Sequence, residues 1–329
     1  MVEYIDQQIS NLAWQVAAKS TDVTASENFG ENIISGSKTH ISIWQFVDDP
    51  SNHAQLPIIE ATSEKIPAAA CKVHLIGNIA FTALVNGTVY LHELVSEDKS
   101  RKYLKVISET KNLHPNYRCN DMLFCAQTNS VITCGNDGAI SSFNVEHPKK
   151  TTSKSMAGSS LKCMDIITPH EVICGTLNGS LKHYDLRTYE CVGTFANQSL
   201  SSLLCLQRNP NVNHLAVGGN DQGSIIMYDL RNEHLAMAQI SAHGSAVTNV
   251  KYRPKDPNIL NSSSCDGELF RWNLNAEFNT SQVPRKVESI GCVSEPLSIT
   301  SFDVNHLGDM VYTTDHGAIF YHKLHDPNI

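Results

Sequence analysis

The sequence predicts an all-β protein, a seven-bladed β-propeller whose last blade is closed by an N-terminal strand. Three observations predict it. A strand–turn–strand phrase returns seven times along the 329 residues, and six of the turns hold a glycine: Gly87, Gly138, Gly179, Gly223, Gly267 and Gly317. Successive glycines lie between 41 residues (Gly138 to Gly179) and 51 residues (Gly87 to Gly138) apart, the period of one four-stranded blade. Finally, the stretch from Tyr4 to Trp14 precedes the first phrase with no blade of its own, while only five residues follow Leu324. A ring frays unless its ends meet. Residues 3–16 are therefore expected to pair with the seventh blade, and residues 1–329 to form one propeller.

The phrases run in order. Ile33-Ile34-Ser35-Gly36 leads to Ile43-Trp44, Phe81-Thr82-Ala83 to Leu91-His92, and Val131-Ile132-Thr133-Cys134 to Ser142-Phe143. Then Val172-Ile173-Cys174-Gly175 leads to His183-Tyr184, and Leu215-Ala216-Val217-Gly218 to Met227-Tyr228. Ile259-Leu260-Asn261-Ser262 leads to Arg271-Trp272, and Met310-Val311-Tyr312-Thr313 to Tyr321-His322. The sixth unit is the clearest. Val250 and Tyr252 alternate with polar neighbours, as a half-buried strand requires. Pro254 and Pro257 bracket a loop, because proline cannot donate to a central ladder. Asp266-Gly267 joins two strand-like runs and reads as a tight hairpin.

This unit resembles a WD40 repeat. The resemblance implies a buried hydrogen-bonded set of a loop His, a strand Ser, a turn Asp and a strand Trp, which by spacing are His243, Ser262, Asp266 and Trp272. Asp accepts from imidazole, imidazole from hydroxyl, and hydroxyl from the indole N–H, so that no polar group in the seam is left unpaired. The other blades depart from the pattern. The third keeps Thr133 and Asp137 but has Phe143 at the Trp position. The fourth and fifth have Tyr184 and Tyr228 there, and the second and seventh have His92 and His322. The fifth turn, Asp221-Gln222-Gly223, reads as one residue longer.

Composition narrows the function. A formal net charge of −8 disfavours a nucleic-acid or anionic-membrane surface. No run approaches the roughly 20 apolar residues of a membrane helix, and the start, Met1 to Asp6, has no signal-peptide pattern. The ten cysteines include no Cys-x-x-Cys pair and read as reduced thiols of a nuclear or cytosolic protein. There is no phosphate loop, Gly-x-Ser-x-Gly elbow or His-Glu-x-x-His helix. His114, His147 and His170 neighbour prolines in expected turns. A catalytic, cofactor or metal site is therefore not expected. Long connections fall near residues 48–67, 97–118 and 275–296. Exposed aromatics among Tyr103, Tyr117, Tyr189 and Phe278 are available as partner anchors.

The order of features is similar to that of the WD40 nucleoporins in the Y-shaped outer-ring scaffold of the nuclear pore. The residues that carry this are Gln8-Ile9-Ser10 with Trp14, Ile41 to Trp44, Gly218 to Asp221 with Tyr228 to Arg231, Ala242-His243 with Asp256 to Asn258, and Leu297-Ser298-Ile299 with Asp303-Val304 and Ala318-Ile319. The resemblance implies a scaffold at the nuclear envelope that binds an α-solenoid or propeller subunit of that complex. It also implies support of pore assembly, mRNA export and protein transport, and a place at kinetochores in mitosis. A rival reading rests on Tyr184-Asp185-Leu186-Arg187 and Tyr228-Asp229-Leu230-Arg231. Paired Asp-x-Arg motifs resemble those of cullin-RING ligase substrate receptors, where the arginines contact the adaptor. Asp185 with Arg187 and Asp229 with Arg231 also commonly pair within or between blades.

Overall fold

The computed structural model describes residues 2–4, 9–16, 32–46, 58–98, 101–155, 158–196, 200–232, 234–274, 288–305 and 308–323. The described regular structure is all strand. Its strands fall into two compact units, Met1–Asn112 with Thr300–Ile329, and Leu113–Ile299.

The first unit holds blades one, two and seven. Blade one comprises Ile9–Val16, Asn32–Ser37, His40–Phe46 and Ile58–Lys65. Blade two comprises Ala70–Ile76, Ile79–Leu84, Val89–Asp98 and Arg101–Thr110. Parallel pairing of Gln15 with Leu75 and Val16 with Ile76 joins the two into one eight-stranded sheet. The long connection after residue 97 is therefore mostly hairpin, its second arm the outer strand of blade two. Blade seven comprises Ile299–Val304, Met310–Thr314 and Ala318–His322. Its fourth strand is Val2–Tyr4, antiparallel to Ala318–His322 with Glu3 opposite Ile319. The N-terminal closure is shorter than the expected 3–16. Ile9–Val16 instead pairs with Asn32–Ser37 as the first strand of blade one. The reason is in its pattern: Ile9, Leu12 and Trp14 pack with Ile33, Trp44, Val311 and Ile319, burial that an exposed outer strand does not offer.

The second unit holds blades three to six. Blade three comprises Cys119–Cys125, Ser130–Gly135, Ala139–Asn144 and Thr151–Ser155. Blade four comprises Leu161–Thr168, Glu171–Thr176, Leu181–Asp185 and Glu190–Ala196, extended by His234–Leu235 in parallel. Blade five comprises Leu203–Arg208, Leu215–Asn220, Ser224–Asp229 and Ala238–Ser241. Blade six comprises Val247–Arg253, Asp256–Ser264, Glu268–Asn273 and Glu288–Ser294. Central strands are buried on both faces, as in Asn32–Ser37 and Met310–Thr314, whose polar Ser35 and Thr313 are spent on hydrogen bonds inside the blade. Six cysteines are buried among them and all ten are free.

The six turn glycines all have φ between 69° and 86°, a region costly for any residue with a Cβ. At Gly267 a Cβ would also stand 2.0 Å from the Glu295 carbonyl oxygen. The fifth turn is not longer than the others. The Gly223 N–H meets the Asn220 carbonyl, as the Gly267 N–H meets that of Ser264, so Gln222 stands where blade six has Asp266. The loops at 48–57 and 275–287, with Phe278, lie outside the described residues.

Candidate functional site

The polar side chains singled out by the repeat gather where the second and third strands of a blade meet the loop before its first strand. In blade six, His243 Nε2 lies 2.7 Å from Ser262 Oγ. The indole N–H of Trp272 donates to the same oxygen at 2.8 Å, and the imidazole stacks on Phe270 with ring centres 5.0 Å apart. Ser262 is fully buried, which removes it as a nucleophile. The bond expected from imidazole to Asp266 is not formed. His243 Nδ1 stands 3.9 Å from Asp266 Oδ1, because that carboxylate accepts instead from the Gly244 N–H at 2.9 Å and the Glu268 N–H at 3.2 Å.

Blade three closes the set that blade six leaves open. His114 is completely buried. Its Nδ1 lies 3.0 Å from each oxygen of Asp137, and its Nε2 3.0 Å from Thr133 Oγ1. The expected turn is present at His114, whose carbonyl accepts from the Tyr117 N–H at 3.1 Å; what the sequence reading missed is that its ring joins Thr133 and Asp137 in blade three. The signal was present: His114 precedes Thr133 by 19 residues, as His243 precedes Ser262. Phe143 fills the Trp position as apolar bulk. In blade one, the Trp44 N–H donates to Ser35 Oγ at 2.8 Å. Tyr184 and Tyr228 are fully buried, and among the described residues their hydroxyls have no hydrogen-bond partner, so they serve by size.

A second polar system ties neighbouring blades together through their first strands. Asp121 accepts from the Met164 N–H at 3.0 Å, Asp165 from the Arg208 N–H at 2.6 Å, and Gln207 from the Tyr252 N–H at 2.5 Å. Within the first unit, Asn11 accepts from the Val73 N–H at 3.2 Å and Asp303 from the Trp14 N–H at 2.9 Å. The register shifts at Asn11 and at Asp121, and such a bulge re-aims a side chain. Sequence reasoning missed these residues, because each partner lies in another blade.

The paired motifs fold onto themselves. Arg187 donates to Asp185 through Nε at 3.1 Å and Nη2 at 2.6 Å; Arg231 does the same to Asp229 at 3.0 and 2.7 Å. Hydrogen bonds from the Arg187 guanidinium hold the Asp185 carboxyl down to about 2. Both arginine side chains nevertheless remain about two-thirds exposed, at 64% and 66%. Among the aromatics, Tyr103 and Tyr117 are exposed, whereas the Tyr189 hydroxyl meets Ser142 at 3.2 Å. Tyr103 shares the outer strand of blade two with exposed Val106 and Ile107. Among the described residues, no helix is long and apolar enough to cross a membrane.

Comparison with known proteins places this architecture. Residues 107–307 match the family described as Nucleolar protein 10-like, N-terminal domain. The chain is 24% identical over 294 residues to human nucleoporin Nup43, an alignment spanning 84% of this chain and 76% of that protein. It is 26% identical over 152 residues to nuclear pore complex protein nup43 of Dictyostelium discoideum, spanning 45% of this chain and 36% of that one. Chaetomium thermophilum Sqt1, solved bound to the N-terminus of ribosomal protein L10, superposes with a TM-score of 0.71 at 14% identity, covering 96% of this chain and 84% of that one. That likeness concerns the fold alone. The family match covers more than half of the sequence, so the chain belongs to the nucleolar protein 10-like family of β-propellers, as a WD40 protein similar to nucleoporin Nup43.

Proposed function

We propose that this protein is a non-catalytic scaffold subunit of the nuclear pore complex. In this reading residues 1–329 act as one seven-bladed propeller that binds other nucleoporins of the Y-complex, an α-solenoid or a propeller subunit. It supports pore assembly, mRNA export and protein transport, and joins kinetochores in mitosis. The observation that carries the reading is the alignment with human Nup43 along 84% of the chain. The geometry agrees with it. In blade three His114, Thr133 and Asp137 are committed to one another, and in blade six His243 and Trp272 are committed to Ser262. What remains outside is a surface of loops and outer strands, suited to protein binding.

The test is affinity purification of the tagged full chain with mass spectrometry, together with imaging of its location. Recovery of Y-complex nucleoporins and a signal at the nuclear rim are the expected results. A nucleolar signal with no nucleoporin recovered would overturn the reading. The same purification tests the ligase-receptor alternative, because Arg187 and Arg231 remain exposed. Arg187→Glu with Arg231→Glu is expected to leave nucleoporin recovery unchanged. Recovery of a ligase adaptor with wild type, lost in that double variant, would favour the alternative instead.

A further inference from the structure

Blades three and six share one spacing but differ at their turns. In blade three, Asp137 closes on His114 Nδ1 with both oxygens at 3.0 Å, and Ala139 follows the turn glycine. In blade six, Asp266 is drawn to the Gly244 N–H, and Glu268 follows the turn glycine. None of the other five glycine turns has an acid there; they have Thr88, Ala139, Ser180, Ser224 and Ala318. The second carboxylate thus occurs where the first has moved away from the ring.

The consequence is a buried imidazole nitrogen facing two carboxylates. Among the described residues His243 Nδ1 has no hydrogen-bond partner, and its side chain is wholly buried. It lies 3.9 Å from Asp266 Oδ1 and 3.8 Å from Glu268 Oε2, and the three ligand atoms all fall within 4.8 Å of one another. The carboxylates are 23% and 38% exposed, so the cluster opens to solvent on the acid side. We propose that His243 Nδ1, Asp266 and Glu268 form a binding site for a divalent transition cation of the zinc class.

The dimensions fit. Ligand atoms about 2.1 Å from one tetrahedral zinc ion stand about 3.4 Å apart, so the carboxylates at 3.9 and 3.8 Å from His243 Nδ1 need draw in by only about half an ångström, and the partly exposed Glu268 arm can move to close the set. The ring is already aimed, by Ser262 at Nε2 and by Phe270 on its face. Ser262 Oγ has two acceptor lone pairs, so it can take the indole N–H and an Nε2–H together. That tautomer presents the Nδ1 lone pair to the cation, and the Nε2–H bond to Ser262 is the kind of outer contact that orients a metal-binding histidine. One nitrogen with two carboxylates suits zinc or manganese better than calcium, which takes oxygen ligands. Three protein ligands leave a position for water.

The experiment is calorimetric titration of the full chain with Zn²⁺, repeated with Co²⁺ followed by absorption. It is done with Cys191→Ser and Cys265→Ser in place, because those thiols are exposed. One ion per chain is expected. Glu268→Ala should weaken binding at least tenfold while leaving the metal-free melting midpoint where it was, since that side chain stands outside the His–Ser–Trp bonds. Zn²⁺ should raise the midpoint of the parent and not of Glu268→Ala. No binding by the parent, or binding that Glu268→Ala leaves unchanged, would overturn the proposal, as would a Co²⁺ spectrum dominated by sulfur charge transfer.

Discussion

Asp137→Ala in blade three tests the hydrogen-bond reading most directly. The substitution removes both oxygens that face His114 Nδ1 at 3.0 Å, around a ring with no solvent exposure. It also removes the acceptor for the Ala139 N–H at 3.1 Å. A buried donor without a partner costs about 1–3 kcal/mol, and the partly exposed turn bond adds about 0.5 kcal/mol, so the loss is about 2–3 kcal/mol. Asp137→Asn keeps one acceptor oxygen and should cost about 1 kcal/mol. Asp266→Ala is the internal control, because among the described residues His243 Nδ1 already lacks a partner. There the loss is the bonds to Gly244 and Glu268, about 1 kcal/mol. Both sites lie in the unit Leu113–Ile299, so one unfolding transition can report on both. Urea unfolding in the presence of a chelator, followed by tryptophan fluorescence, gives the midpoints. The reasoning fails if Asp137→Ala costs no more than Asp266→Ala, or if Asp137→Asn is as damaging as Asp137→Ala.

Three further outcomes are expected. Asp121→Ala takes the acceptor from the Met122 and Met164 N–H groups and should lower stability by about 2–4 kcal/mol in urea unfolding; a cost under about 0.5 kcal/mol would deny the inter-blade tie its role. Gly219→Ala places a Cβ 2.5 Å from Val247 Cγ1 and 2.7 Å from Cys205 Sγ, which should cost about 1–3 kcal/mol through overpacking, whereas an unshifted midpoint would mean the blades part freely. His92 is buried, and burial lowers its pKa to about 4 from 6.5. The folded state therefore resists a proton that the unfolded chain accepts below pH 6.5. Stability is full above pH 6.5 and falls by about 3 kcal/mol as pH drops toward 4. His92→Phe should flatten that part of the urea-midpoint profile; an unchanged slope between pH 6.5 and 4.5 would assign it to other groups.

The parts of the molecule that could be read from the sequence are those whose partners are close along the chain. Trp272 and Ser262 are 10 residues apart and His243 and Ser262 19, so one blade's worth of sequence contains the whole set. His114 obeyed the same interval but was obscured, since Phe143 replaces the tryptophan that draws the eye to a blade. The tie from Asp165 to Arg208 spans 43 residues and that from Gln207 to Tyr252 spans 45. Each partner lies in the next blade, and no local pattern announces a contact at that separation. Gly218 and Gly219 look alike in sequence. Only the approach of Val247 within 2.5 Å of a Cβ at the second shows which of them cannot carry a side chain. Ile9–Val16 misled for the same reason. An alternating strand near the N-terminus suits either end of the repeat, and only its contacts with Ile33 and Trp44 decide between them.

The order expected for Asp137→Ala and Asp266→Ala depends on what blade six holds. Without metal, Asp266 is a turn cap, and its loss is the smaller of the two. With Zn²⁺ at 100 times its dissociation constant, a site present only in the folded protein adds about 2.7 kcal/mol of stability. Asp266→Ala removes one of three ligands, so in saturating Zn²⁺ it forfeits most of that gain on top of the cap. Its total then reaches about 3–4 kcal/mol, and the order of the two variants reverses. Asp137→Ala should cost the same with metal or chelator, since both oxygens of Asp137 are engaged by His114 and Ala139 follows the turn where blade six has Glu268. Paired urea titrations with chelator and with Zn²⁺ therefore separate two explanations of the open imidazole in blade six. A reversal identifies a ligand that waits for a cation. An unchanged order identifies a hydrogen bond that the turn at Gly244 has drawn away, with Glu268 no more than a charged residue beside it.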